Sequence, residues 1–183
     1  MVETAEAVFA ERGYVAASMD EIAERVGVSK PMLYEYFHSK EGLLVACIRQ
    51  SRGALRDATE HAVAGSANAE EALRNGLRAF FVFISDHRQA WSLLRHEAAL
   101  NATPAADEVE AIRRQQTDLI ARLMGGYFDA SDPVRLEASA EFVVGATERL
   151  AIWCERHEKV TPDQVTDYAM DILWNGLSPF AQR

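Results

Sequence analysis

Between Ser18 and Leu44 the chain reads SMDEIAERVGVSKPMLYEYFHSKEGLL, and its chemistry is concentrated in one short helical stretch. Leu33 and Phe37 fall four apart on an apolar face that goes inward, leaving Lys30, Pro31, Met32, Tyr34, Glu35 and Tyr36 outside. Two tyrosines and a methionine on a water-facing surface are not what solubility favours, so this surface is made for a partner. That is recognition chemistry, and the spacings that bond-breaking needs are missing from the sequence: there is no GxSxG elbow, HExxH, P-loop or GxGxxG. His38, His61, His87, His96 and His157 are scattered, and Glu35 with His38 forms the single Glu-x-x-His, where a di-iron carboxylate bundle needs two and further inward acids. The chain therefore reads as a non-enzyme with no metal site and no cofactor.

Three elements must hold that surface in place. Ser18 followed by Glu21 has the form of a capping box, and Ile22, Ala23 and Val26 line one face of a helix that stops at Gly27. After the turn, Ser29 is placed as N-cap of a second helix with Pro31 in its first turn, where the missing N–H costs nothing. Val2, Ala5, Phe9 and Tyr14 mark a supporting first helix that ends near Gly13. Two short helices around a glycine turn form a helix-turn-helix, whose second helix puts its N-terminal part into the DNA major groove.

The ordered run FAERGY, SMDEIAERVGVS, LYEYF and SKEGLL resembles the DNA-binding signature of the tetracycline-repressor (TetR) family of bacterial transcription regulators. Carried over position by position, the resemblance implies that Lys30, Pro31, Met32 and Tyr34 meet bases or thymine methyls, while Ser18, Ser29, Tyr36 and Lys40 hold phosphates. The side chains suit those tasks. Lysine donates to guanine O6 or N7, methionine and proline pack on thymine methyls, and hydroxyls and ammonium groups bind phosphate oxygens. Glu35 is read as pointing to solvent. In the family a basic segment usually precedes the first helix, whereas Met1 here already lies within that helix's apolar pattern, so the natural chain is expected to begin further upstream.

Ser39 caps a long connector helix from Lys40 through Leu43, Leu44, Cys47, Ile48 and Leu55 to Val63, and AGSANAEE at 64–71 is a small-residue loop. Further helices are expected at Ala69 to Asp86, Trp91 to Leu100, from Thr103-Pro104 to Gly125-Gly126, from Asp132-Pro133 through Trp153, and from Thr161-Pro162 through Leu173. The sum is an all-α protein of about nine helices, which the resemblance divides into a three-helix DNA-binding domain at residues 1–44 and a helical ligand-binding and dimerisation domain at 45–183. Phe80, Phe83, His87, Trp91 and Met124 are candidates to line a pocket for a small, mostly apolar effector, together with His96, Glu97, Tyr127 and Trp153. An aromatic at helical spacing is more often core, so for each of them the core role outweighs the pocket role. The last two helices carry more apolar faces than one small bundle uses, and the resemblance implies that they pair with a second copy. Phe142, Val143, Ala146, Leu150, Tyr168, Ile172 and Leu173 are the expected contacts of that homodimer.

Composition bounds all of this. The 183 residues are 49% apolar and 26% charged, ordinary for a globular protein with a real core. The apolar run Ala79 to Ile84 falls far short of the ~20 residues of a membrane helix, so a cytoplasmic protein without membrane contact is expected. Cys47 and Cys154 fit no metal spacing and read as free thiols. A net charge of −9 is the awkward fact for a DNA ligand. Residues 1–40 hold four Lys or Arg against seven Asp or Glu, a net of −3, so operator binding must rest on a few placed contacts and helix N-termini. The function these readings converge on is a ligand-responsive repressor of transcription, a homodimer on a palindromic double-stranded operator, released by its effector. The competing reading, a helical small-molecule-binding or interaction module without DNA, gives no reason for Lys30, Met32 and Tyr34 to face outward.

Overall fold

In the computed structural model, residues 1–89, 91 and 106–181 are described. Among them are eight α-helices: α1 Val2–Ala16, α2 Met19–Val26, α3 Lys30–Phe37, α4 Lys40–Val63, α5 Ala69–Asp86, α6 Ala106–Gly125, α7 Pro133–Cys154 and α8 Pro162–Leu177, with a 3-10 turn at Ser178–Phe180. Extended pairing among the described residues is limited to one isolated bridge between Phe128 and Ala181. The helix expected over Trp91 to Leu100 and the start at Thr103-Pro104 lie outside the described residues, Trp91 excepted. No described helix is long and apolar enough to cross a membrane.

The caps explain most of the boundaries. The Asp132 side chain accepts from the Arg135 N–H at 3.0 Å, and Thr161 with Gln164 completes a reciprocal capping box. Ser18 departs from expectation, because only half of its box forms. Its Oγ accepts from the Glu21 N–H at 3.1 Å, while the Glu21 carboxylate is drawn away to Arg12 and Arg25. Gly27, at φ 78°, ends α2 in the left-handed region, with Gly27 N–H bonded to the Glu24 carbonyl and Val28 N–H to the Ala23 carbonyl. Gly13, at φ 74° and ψ 158°, breaks α1 where the sequence placed its end, and a short helical turn follows to Ala16.

The described chain divides into two compact units, Met1–Ala54 with His87–Arg113, and Leu55–Asp86 with Arg114–Arg183. In the first, α1 packs on α2 and α2 on α3. Its interior holds Val8 and Phe9 of α1, Ile22 of α2, Leu33 of α3, and Leu43, Leu44 and Ile48 of α4. In the second, α5 lies chiefly along α8. Leu73, Leu77 and Phe81 of α5 meet Val165, Ala169, Met170 and Leu173 of α8, with Met124, Phe128, Ala140 and Val143 in the same core.

Candidate nucleic-acid interface

Burial sets which residues of the N-terminal unit face outward. Leu33 is fully buried and Phe37 half-buried, so α3 turns Met32 and Tyr34 outward, each 41% exposed, and Tyr36 at 62%. Lys30, Pro31 and Glu35 are exposed on the same short helix. Ser29 occupies the N-cap position, but its side chain makes no cap hydrogen bond, leaving the hydroxyl to other partners. Helix α3 ends in a tight turn. His38 adopts φ 64°, and the Ser39 N–H reaches the Phe37 carbonyl at 2.7 Å. Ser39 then caps α4, its Oγ accepting from the Gly42 N–H at 2.9 Å.

Gly42, in the first turn of α4, stands against the last residue of α3. A Cβ there would sit 2.1 Å from the Phe37 carbonyl oxygen, so only glycine allows this close approach. The start of α4 is also tied to the end of α1. Lys40 Nζ donates to the carbonyls of Ala17 at 2.9 Å and Val15 at 3.3 Å, and lies 4.6 Å from the centre of the Tyr14 ring. The Tyr14 hydroxyl hydrogen-bonds the Glu41 carboxylate, and burial together with that carboxylate pushes the tyrosine up to about 12. Hydrogen bonds from its own backbone N–H, Tyr14 and Ser39 hold the Glu41 carboxyl below the usual range.

Every Lys and Arg of residues 1–40 is engaged within the chain. Arg12 pairs with Glu21 at 3.3 Å, and Arg25 with Glu11 at 2.7 Å and Glu21 at 2.8 Å. Lys30 Nζ meets Asp20 Oδ2 at 2.8 Å, and that hydrogen bond raises the lysine above its ordinary value. Lys40 is turned toward carbonyls, which differs from the exposed phosphate ligand expected of it; two of its three donors are committed. Asp20, Tyr14 and Glu41 are the residues that sequence reasoning missed. The signal is weak, because each partnership joins different helices and follows no helical spacing.

The other expected sites separate by unit. Phe80, Phe83, Met124, Tyr127 and Trp153 belong to the second unit, whereas His87 and Trp91 belong to the first, and His96 and Glu97 lie outside the described residues. The structure brings Phe80, Met124 and Tyr127 together against one core. The Tyr127 hydroxyl faces the carbonyls of Ser66 at 3.2 Å and Val63 at 3.4 Å, at the end of α4. Trp153 stacks on His157 with ring centres 4.1 Å apart. Phe83 and Trp91 are buried, and His87 is exposed. Of the expected dimer contacts, Phe142 on α7 is 64% exposed, and Tyr168 and Ile172 on α8 are 49% and 72% exposed. Ala146 and Leu150 are half-buried. Val143 and Leu173 differ from expectation, since both sit inside the chain's own core, 7% and 4% exposed. Among the described residues no group of three His, Cys, Asp or Glu is placed to hold a metal ion.

A capped α2, a glycine turn and an outward-facing α3 define a helix-turn-helix protein. The profile of "Bacterial regulatory proteins, tetR family" matches residues 1–47, and that of "Tetracyclin repressor-like, C-terminal domain" matches residues 69–176. The chain belongs to the TetR family of bacterial regulators. It is 28% identical over 171 residues to the transcriptional activator FasR of Mycolicibacterium smegmatis, covering 93% of this chain and 78% of FasR. To the transcriptional repressor KstR2 of Mycobacterium tuberculosis it is 27% identical over 184 residues, 97% of this chain and 91% of that protein. A TetR-like regulator from Rhodococcus sp. RHA1 superimposes with a TM-score of 0.75 at 31% identity, covering 97% of this chain and 93% of the other.

Proposed function

We propose that this chain is a ligand-responsive repressor that binds a palindromic operator as a homodimer and leaves it when a small, mostly apolar molecule occupies the C-terminal domain. The observation that carries the reading is α3, which buries Leu33 completely while exposing Met32, Tyr34 and Tyr36 beside Lys30 and Pro31. Residues 1–44 do the reading. Lys30, Pro31, Met32 and Tyr34 address base edges, and the hydroxyls of Ser18, Ser29 and Tyr36 address phosphates, with Lys40 contributing its one uncommitted donor.

Residues 45–183 carry the control. A second copy covers the exposed side chains of Phe142, Tyr168 and Ile172, and two-fold symmetry supplies the second recognition helix that a palindrome needs. The effector occupies the region of Phe80, Met124 and Tyr127, which pack against one apolar core. Helix α4 runs unbroken from Lys40 to Val63, so a shift at its far end is carried to the DNA-reading helices. An effector that prefers the DNA-incompetent state by about 3 kcal/mol lowers operator affinity about 150-fold. The protein works in the cytoplasm on double-stranded DNA, without cofactor or catalysis.

The experiment is selection of bound fragments from the source genome at 100 mM salt, followed by titration of the best fragment and a measure of the mass of the complex. A short palindrome bound by two copies supports the reading, and transcription that rises when the gene is deleted assigns repression. Absence of any enriched fragment, with the protein folded and dimeric, overturns it in favour of a helical ligand-binding module.

A further inference from the structure

We propose that Asp20 is a specificity-determining residue that withholds Lys30 from non-specific DNA, an inference that rests on the DNA-binding reading above. Asp20 lies in the first turn of α2 and Lys30 opens α3, so their 2.8 Å pair joins the N-terminal ends of both helices of the motif. The pair is open to solvent, with side chains 71% and 45% exposed, and among the described residues the Asp20 carboxylate is the ammonium's hydrogen-bond acceptor. It can therefore open when a better acceptor arrives.

What the pair does follows from where the other cations are. Arg12 and Arg25 are tied to Glu11 and Glu21, and Lys40 is turned to the carbonyls at the end of α1. Lys30 alone of the four stands on the outward face of α3. Paired with Asp20, it releases no counterion from a phosphate backbone and adds nothing to sequence-independent affinity. The carboxylate also sits in the first turn of α2, beside the N–H groups that would otherwise attract a phosphate. On the correct operator α3 is seated in the groove, and guanine O6 and N7 offer the ammonium two acceptors at a fixed place. Asp20 then returns to water, which its exposure permits. A group that weakens wrong complexes more than the right one raises the specificity ratio without adding a contact.

Asp20→Asn tests this, since it removes the charge and keeps the size. Affinity is measured by fluorescence anisotropy over a salt series, for the selected palindrome and for a scrambled duplex of equal length, with wild type, D20N, K30Q and the double variant. D20N is expected to tighten binding to the scrambled duplex about threefold to tenfold and to steepen its salt slope by about 0.9, the signature of one more phosphate contact. The palindrome gains less, so the specificity ratio falls, and in the K30Q background the slope change disappears. Asp20→Ser, also suited to a helix start, gives the same result if D20N fails to fold. An unchanged slope, equal gains on both duplexes, or a gain that survives K30Q overturns the proposal while leaving DNA binding intact. Wild type that binds neither duplex at any salt overturns the DNA reading itself.

Discussion

Replacing Gly42 with alanine and Gly53 with alanine makes the same chemical change twice in helix α4, and the structure assigns them opposite signs. At Gly42 the new Cβ would stand 2.1 Å from the Phe37 carbonyl oxygen, whereas a comfortable carbon–oxygen contact needs about 3.3 Å. Something must retreat by about 1 Å. The obstacle is backbone, and it is already held, because that carbonyl accepts the Ser39 N–H at 2.7 Å across the positive-φ turn at His38. Overpacking against an atom that cannot swing aside costs about 3 kcal/mol, and the helix preference of alanine over glycine returns roughly 1. The net loss of about 2 kcal/mol lowers Tm by about 4–8 °C in a chain of this size. Gly53 has nothing within 4 Å of its would-be Cβ and no unusual φ, so only the propensity gain remains, and Tm rises by about 2–4 °C. Circular dichroism melts at equal concentration read both. Because the retreat displaces the end of α3, Gly42→Ala should also weaken operator binding by about tenfold or more, the scale of losing one base pair's readout. A Gly42→Ala protein that melts at or above wild type and binds the operator as tightly would refute the close approach of the two helices and the positioning built on it.

Four further outcomes are expected. Tyr34→Ala should reduce discrimination against single-base operator variants by about 1–3 kcal/mol at the positions it touches, and unchanged discrimination in competition titrations removes Tyr34 from the readout. Lys40→Ala should flatten the salt slope by roughly one unit on every sequence alike and also destabilise the fold by about 1–2 kcal/mol, through its two carbonyl bonds and the Tyr14 ring; a lower Tm with an unchanged slope makes it purely structural. Ile172→Asp with Phe142→Glu should convert dimers to monomers in sedimentation while leaving helical content intact, and a mass that does not change moves the interface elsewhere. Tyr14 and Cys47 are both pushed up to about 12, chiefly by burial, so the folded chain keeps protons that the unfolded chain gives up near pH 9 and 10. Their contribution is complete below pH 9 and declines between about pH 9 and 12. Tyr14→Phe should shrink that decline in urea midpoints measured at pH 8 and 11, and a midpoint that does not fall over this range contradicts it.

Helix limits were open to reading because they depend on neighbours in sequence. Ser39, Asp132 and Thr161 cap the helices assigned to them, and α5 spans Ala69–Asp86 as its apolar period requires. Partnerships set by how helices cross were not open in the same way. Glu21 stands at the right distance for a capping box, yet Arg12, brought near by the packing of α1, and Arg25, one turn on in the same helix, take its carboxylate in place of the Ser18 N–H. Lys40 has the position of a phosphate ligand, and the kink at Gly13 brings carbonyls within its reach. On α7 and α8 the apolar residues are spread so widely that periodicity could not tell Val143 and Leu173, which turn inward, from Phe142 and Ile172, which do not. An effector pocket and a core draw on the same side chains, so Phe80 and Met124 carried no mark in sequence that separates the two.

The acidity of the DNA-reading half is what makes the dimer indispensable to the proposed mechanism. With four cations against seven carboxylates in residues 1–40, and all four engaged within the chain, one half-site gains little from the phosphate backbone. Its affinity must come from a handful of groove contacts and helix N-termini, which hold only while α3 is correctly seated. Joining two such readers makes the second binding event intramolecular, at an effective concentration in roughly the millimolar range, and this multiplies two weak affinities into a usable one. The multiplication depends on geometry. If the two α3 helices cannot both reach grooves about 34–36 Å apart, each half-site falls back to its own weak binding. A ligand then need not block either reading surface: altering the span between the two is enough, and a protein with little non-specific attraction has nothing else to keep it on the DNA.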